Sequence, residues 1–310
     1  MSFFKETLLS CFRLILSTFY YNFVQKHKGL FRKECTMKKQ ANYIKRIEIK
    51  GIWGRKNISW TLRPDVNILS GINGIGKSTI VNKSVHSLNL LSGGELNCQM
   101  VPENVKFVFS PEDASFIRFD TIRSFDRPLL NAGVMEKVAN EHVHTELDWQ
   151  LYQLQRRYLD YQVNIGNRII ELLTSGNLED QQKAASVSVP KKKFQDMVDY
   201  LFKDTGKTIN RKSNEIIIEQ DGEQLLPYQL SSGEKQMLVI LLTVLVQDEQ
   251  PYALFMDEPE ISLHIEWQQQ LIKLIRELNP NVQIVLTTHS PAVIMDGWLD
   301  AVTEVSDITE

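Results

Sequence analysis

Alternation of apolar and charged residues opens the chain's ordered pattern, which then shifts to helical periods and to short, wholly apolar runs. Ile44 to Ile49 reads Ile-Lys-Arg-Ile-Glu-Ile, the period-2 pattern of a half-buried strand, and Ile58 to Leu62 predicts a second. Val66 to Leu69 is a short apolar run entering a glycine-rich turn. A helix is expected after it from Lys77 to about Leu91, and a further strand at Val105 to Phe109. From Leu147 the apolar positions fall at Leu147, Leu151, Leu154, Tyr158, Tyr161, Ile165, Ile169 and Leu172. Steps of four and three draw one stripe along a single helix of about 40 Å. It is expected to pack on the core as a helical lid, with an extended partner-binding helix as the alternative. Ser175 to Pro190 is polar and small, and predicts a flexible link. Strand patterning returns at Glu215 to Glu219, and Leu230 opens a very apolar helix. Ala253 to Met256 and Val282 to Leu286 read as buried strands on either side of a helix from His264 to Leu278. Such alternation implies an α/β fold, a mostly parallel sheet flanked by helices, with a helical subdomain inserted at about residues 111–203.

Composition changes this picture little. The 310 residues suffice for one large core, or one core plus an inserted subdomain. Hydrophobic content of 43% and charged content of 24% are those of an ordinary soluble globular protein. The net charge of −3 supplies no global attraction to nucleic acid or acidic membranes. Locally, Arg118, Arg123 and Arg127 make a basic stretch that could touch DNA or RNA, or simply face solvent. Cys11, Cys35 and Cys98 contain no CxxC pair, so neither a zinc site nor a disulfide framework is indicated, which fits a reducing cytoplasm.

Residues 1–36 stand apart. Leu8 to Val24 is apolar and aromatic, but Arg13 interrupts it and the run barely approaches the roughly 20 residues that a bilayer requires. A basic tail (Lys26, Lys28, Arg32, Lys33) follows with no small-x-small cleavage site, which argues against a secretory signal. A membrane anchor and an amphipathic interaction helix are alternatives. The preferred expectation is that Met37 begins the native domain, 37–310, and that membrane attachment is not needed.

Candidate chemistry concentrates at four places. Gly71-Ile72-Asn73-Gly74-Ile75-Gly76-Lys77-Ser78 satisfies GxxxxGK[ST] between a predicted strand and a predicted helix. Glycines at these spacings let backbone N–H groups turn inward around phosphates, and the helix N-terminus that follows, with Thr79, adds a favourable dipole. Lys77 is expected to reach the β- and γ-phosphates, and the Ser78 hydroxyl to bind Mg²⁺. Ala253-Leu254-Phe255-Met256-Asp257-Glu258 ends a buried strand in two carboxylates, Asp257 for the metal and Glu258 for polarising the attacking water. Ile284 to Ser290 ends a second buried strand, and His289 is positioned to sense the γ-phosphate or orient the water. His264 is expected near the nucleotide or a dimer seam, and His142 and His144 on a helix surface.

Two segments compete as the fourth element, Leu91-Ser92-Gly93-Gly94-Glu95 and Leu230-Ser231-Ser232-Gly233-Glu234. The first follows the phosphate-loop helix directly, where Gly93-Gly94 reads as a helix stop. The second opens the helix leading into the Asp257-Glu258 strand. Its Ser231 hydroxyl and Gly233 backbone, at a helix N-terminus, can bind a γ-phosphate. If that loop lies far from Gly71–Ser78, the phosphate belongs to a second copy, and each subunit caps the other's ATP head-to-tail.

In this order the motifs resemble the ABC/SMC type of P-loop NTPase, over about Tyr43 to Asp296 with the middle segment unmatched. Glu258 is followed by Pro259-Glu260-Ile261-Ser262-Leu263-His264 where transporter ATPases usually carry Ser-Ala-Leu-Asp. This form, with Ser231-Ser232-Gly233-Glu234-Lys235-Gln236, is similar to the RecF/OLD/AbiEii-like AAA ATPases of DNA repair and phage defence. The resemblance implies an Mg²⁺-dependent ATPase that forms a homodimer on ATP and switches a separate effector, such as a nuclease. Only 21 residues follow His289, so an OLD-type nuclease domain is not expected within this chain. Rival expectations are the ATP-binding subunit of a membrane ABC transporter and a module that uses ATP only as a structural switch. No glutamine stands out as the Q-loop residue, and Trp53 and Arg55 are either contacts to the base or ordinary loop residues.

Overall fold

A computed structural model of the chain describes residues 39–92, 104–123 and 143–310. The 1–36 extension, Met37, the Gly93-Gly94 pair, Arg127 and His142 lie outside these residues. Strands β1 (Tyr43–Ile52) and β2 (Lys56–Thr61) pair antiparallel, followed by β3 (Val66–Ser70), helix α1 (Lys77–Ser92), β4 (Val105–Ser110) and β5 (Phe119–Arg123). Four helical and strand groups come next: α2 (Glu146–Thr174), α3 (Leu178–Ala184), α4 (Val189–Phe202) and a small sheet of β6 (Lys207–Ile209), β7 (Ile218–Gln220) and β8 (Glu223–Leu225). The chain then runs through α5 (Ser232–Leu245), β9 (Tyr252–Asp257), α6 (Ile265–Leu278), β10 (Val282–Thr287), α7 (Pro291–Met295) and β11 (Val302–Glu304).

The central sheet has the order β11-β3-β10-β9-β5 and is parallel throughout. Period 2 along its strands divides their side chains between two cores. Leu254, Met256, Ile284, Leu286, Val66 and Ile68 face the core shared with the long helices. Ala253, Phe255, Val285 and Leu69 face a second core, closed by α1 and by the antiparallel sheet β2-β1-β4. Both faces are therefore covered, which is why these strands read as apolar runs. The fully buried Gln283 ties the two sheets: its amide accepts from the Ile44 N–H at 2.8 Å and donates to the Ile44 and Arg63 carbonyls.

Helix α2 forms where the apolar stripe predicts it. Thr145 caps it by accepting from the Asp148 N–H, Asp148 answers to the Thr145 N–H, and Leu147 through Ile165 of the stripe is buried. The helix exposes Val163 on its outer face and, beyond Ile165, Ile170 and Leu173, so its first half packs as the expected lid. Three expectations need correction. The segment 111–203 is not all helical insertion, because β5 within it is the edge strand of the central sheet, paired with β9. Only one of its residues, Ile122, is buried, so it left no apolar run to recognise. The link Ser175 to Pro190 contains α3, which Asn177 caps and which carries Glu179 and Asp180 in its first turn. The strand expected at Glu215 to Glu219 is the shorter β7, joined to β8 by Asp221-Gly222, both at positive φ as a two-residue hairpin of the Asp-Gly kind requires.

Candidate functional site

In a parallel α/β sheet ligands bind beyond the carboxyl ends of the strands. Here β3, β9 and β10 end side by side, with Thr287 in register with both Leu69 and Asp257. The loop Gly71–Gly76 leaves β3 and enters α1. At Gly76 (φ +103) a Cβ would fall 1.9 Å from the Trp53 ring, so only glycine lets that indole lie on the loop. Trp53 itself is at φ +52 and 45% exposed, its ring lying against the loop. Arg55 is exposed nearby in sequence. Ile72, Asn73 and Gly74 are exposed at the loop crest, Ile75 packs inward, and Thr79 is half-buried.

Lys77 is buried at 5% exposure, its Nζ donating to the loop carbonyls of Gly71 at 2.9 Å and Ile72 at 3.4 Å. Those are weak, neutral partners for an ammonium group, which a phosphate can displace. Ser78 Oγ donates to Asp257 Oδ1 at 2.9 Å, and Thr287 Oγ1 donates to the same oxygen at 2.5 Å. A hydroxyl and a carboxylate oxygen are hard donors of the kind that suits Mg²⁺, which takes its remaining ligands from phosphate and water. Among the described residues no group of three or more His, Cys, Asp or Glu forms a metal cage. Mg²⁺ bound with phosphates does not require one, since it keeps several waters and takes only one or two carboxylates.

Glu258 follows at φ +49, its N–H donating to the Thr287 hydroxyl and carbonyl, each at 3.1 Å. Its carboxylate lies 3.4 Å from His289 Nε2, an ion pair whenever the imidazole is protonated. Thus Lys77, Ser78, Asp257, Glu258 and His289 share one edge of the sheet. Thr287 and Glu260 also belong to this cluster and had not been expected there. Thr287 is the polar end of an apolar strand, a signal available in the sequence. Glu260 offers none, because its partners lie 28 to 30 residues away.

The Ser231 loop is built differently. Ser231 caps α5 by accepting from the Glu234 N–H, and its own N–H and hydroxyl donate to Glu234 Oε2. Glu234 is buried, salt-bridged to Lys207 at 2.9 Å, and accepts from the Thr205 hydroxyl. Burial pushes this carboxyl up, but the Lys207 and Ser231 hydrogen bonds outweigh it and hold the group below its ordinary value. Next to it Lys235 reaches Asp148 of α2 at 2.8 Å, a nearly buried pair joining the two helices. Gly233 abuts the turn after Glu258, where a Cβ would sit 2.4 Å from the Ser262 carbonyl oxygen. Ser231 and Ser232 remain exposed.

The other expected residues are less engaged. His264 is exposed at the cap position of α6 and makes no capping bond. His144 lies just before the cap of α2, not on a helix surface, and its N–H donates to Asp148. The Arg118 carbonyl accepts from Ala253 in the sheet, and Arg123 is exposed beside Glu146 at 3.4 Å.

Comparison with known proteins adds to this geometry. Residues 117–296, more than half the chain, match the family described as "AAA domain, putative AbiEii toxin, Type IV TA system". The chain is 24% identical over 301 residues to the Septu protein PtuA of Bacillus thuringiensis, covering 81% of this chain and 72% of that protein. It is 31% identical over 91 residues to the Retron Vc95 probable ATPase of Vibrio cholerae serotype O1 biovar El Tor, covering 26% of this chain and 18% of that protein. Among solved structures, the Smc head domain bound to the C-terminal domain of ScpA from Pyrococcus furiosus aligns at a TM-score of 0.44 with 13% identity, over 82% of this chain and 91% of that one.

Proposed function

The chain belongs to the AbiEii-like AAA family, and from that premise we propose that it hydrolyses ATP, as a homodimer that closes on two nucleotides to switch a separate effector. The observation that carries the reading is the single edge on which Ser78 touches Asp257 while Glu258 meets His289. Lys77 transfers its ammonium from the Gly71 and Ile72 carbonyls to the β- and γ-phosphates, which the Gly71–Thr79 backbone cradles. Ser78 and Asp257 are the residues that would hold an Mg²⁺, which when bound would supply positive charge to the phosphate oxygens. Glu258 takes a hydrogen bond from the water, aligns it with the γ-phosphorus and accepts its proton as the bond to the ADP oxygen breaks. His289 holds Glu258 and the γ-phosphate in that alignment. The half-exposed Trp53 indole stacks on the adenine.

Ser231 and Gly233 complete the site of a second copy. Both lie at the N-terminus of α5, where the helix dipole attracts a γ-phosphate. Two nucleotides shared across one seam hold the pair closed, and hydrolysis releases it. Likeness to a Septu protein and a retron ATPase favours a setting in anti-phage defence, in the cytoplasm, with a nuclease among candidate effectors and nucleic acid among candidate ligands. Among the described residues no helix is long and apolar enough to cross a membrane.

Phosphate release from the native protein and from Lys77→Ala tests the activity, and equal rates would sink it. Gel filtration of Glu258→Gln with ATP and Mg²⁺ tests the closure. A dimer is expected with ATP and a monomer without it, and monomers under both conditions would exclude the shared site.

A further inference from the structure

Between β9 and α6 the chain makes a tight turn, Glu258 to Leu263, fixed by Ile261 N–H to the Glu258 carbonyl at 3.2 Å and Leu263 N–H to the Glu260 carbonyl at 2.9 Å. Glu258 and Ser262 both stand at positive φ there, so the turn is held in a shape its residues do not favour. Glu260 points from it away from solvent, at 8% exposure. One of its oxygens, Oε1, accepts from the Thr288 hydroxyl, from the His289 N–H at 3.0 Å and from the Ser290 N–H at 3.3 Å. The other, Oε2, is buried with no hydrogen-bond partner among the described residues. From the far side Gln268 of α6 holds the same segment, donating to the Leu263 carbonyl at 2.9 Å and accepting from the Ser290 hydroxyl at 2.6 Å.

Burying a carboxylate with one oxygen unpaired is unfavourable, and a turn that served packing alone would be more stable with an apolar side chain. What the carboxylate supplies is a single acceptor on which the three consecutive donors of residues 288–290 converge. That convergence fixes the backbone of His289, and with it the ring that stands 3.4 Å from Glu258. We propose that Glu260 is a positioning residue for the ATPase step: it sets His289 against Glu258 by clamping the 288–290 loop, without touching the nucleotide. The inference rests on the hydrolytic reading above and adds a residue which that reading does not use.

The test compares Glu260→Ala, Glu260→Gln and His289→Ala, singly and combined. Glutamine retains an oxygen able to accept from all three donors, so it is expected to keep kcat within a few-fold of the native value. Alanine frees the loop, and a displacement of about 1 Å at the histidine predicts a kcat loss of about 100-fold with KM changed less than about threefold. Because Glu260 acts through His289, adding Glu260→Ala to His289→Ala should lower kcat by less than about threefold. Full additivity in that double variant, or a native kcat in Glu260→Ala, would overturn the proposal, as would a glutamine variant as slow as alanine with an unchanged thermal midpoint. If the native protein releases no more phosphate than Lys77→Ala, the ATPase reading itself has failed. Hydrogen exchange at the His289 and Ser290 amides then decides the clamp alone: faster exchange in Glu260→Ala supports it and unchanged exchange removes it.

Discussion

Two glycine-to-alanine changes in helices should have opposite signs, and the difference can be worked from local space. Gly166 lies in the middle of α2, where an added Cβ meets nothing within 4 Å. Alanine there restricts the unfolded chain and suits the helix, so Gly166→Ala should stabilise by about 0.5–1 kcal/mol. Gly233 sits in the first turn of α5, and its Cβ would stand 2.4 Å from the Ser262 carbonyl oxygen, a contact that must open to at least 3.0 Å. A backbone atom cannot rotate aside. The turn must therefore retreat by about 0.6 Å or the helix start must shift, the kind of overpacking that costs about 1–3 kcal/mol. At about 2–4 °C per kcal/mol, thermal melts should rise by a few degrees for Gly166→Ala and fall by about 2–12 °C for Gly233→Ala. Denaturant titration of both variants beside the native protein separates stability from changes in cooperativity. A Gly233→Ala protein melting at or above the native temperature would refute the close approach, and with it the contact between the Ser231 loop and the Glu258–Leu263 turn.

Further outcomes follow from the charged links and the exposed indole. Lys235→Met strands the buried Asp148 carboxylate and should destabilise by about 3–5 kcal/mol, while adding Asp148→Asn should recover part of the loss; a melt unchanged by Lys235→Met would contradict the pair. Glu234 has its folded pKa held below its ordinary value, so its stabilising contribution is present above the unfolded value near 4.5 and fades as pH falls through the folded one. The denaturation midpoint of the native protein should therefore exceed that of Glu234→Gln at pH 7, with the gap closing in acid; a gap constant down to pH ~3 would count against it. Trp53→Ala should raise KM for ATP about tenfold with little change in kcat, the loss of one stacked base being worth about 1–3 kcal/mol; an unchanged KM would place the adenine elsewhere.

How much of this could be read from residues alone depended on whether the signal was local. The phosphate loop is a contiguous spacing whose glycines answer to backbone geometry, and the strands leading to Asp257 and His289 are buried on both faces, so both appear as unbroken apolar runs. Boundaries there fall within a residue or two of expectation, β9 at Tyr252–Asp257 and β10 at Val282–Thr287. By contrast β5 lies at a sheet edge with a single buried residue and leaves no run at all. Sheet order is likewise silent in one sequence, because β5 joins β9 across about 130 residues. Glu260 is the sharpest case. Its chemistry arises from three donors on another strand's exit, and nothing in Pro259-Glu260-Ile261 distinguishes it from a solvated acid in a turn.

In the proposed pair, the same turn would make the second copy matter to hydrolysis and not only to binding. Within one chain, Glu260 grips the 288–290 loop on one side of it while the Ser262 carbonyl rests against Gly233 on the other. In the proposed head-to-tail pair those two sides serve different nucleotides, His289 the chain's own and Gly233 its neighbour's. A γ-phosphate drawing the Ser231 loop towards the neighbour must load or relax the contact at Ser262, and the turn has little slack in which to absorb that movement. Its two internal hydrogen bonds and left-handed residues leave displacement of Glu260 as the remaining response, and displacement of Glu260 moves His289. Coupling between the two sites would then need no long path: it would pass through six residues of backbone whose shape is already determined by glycine at one contact and a buried carboxylate at the other.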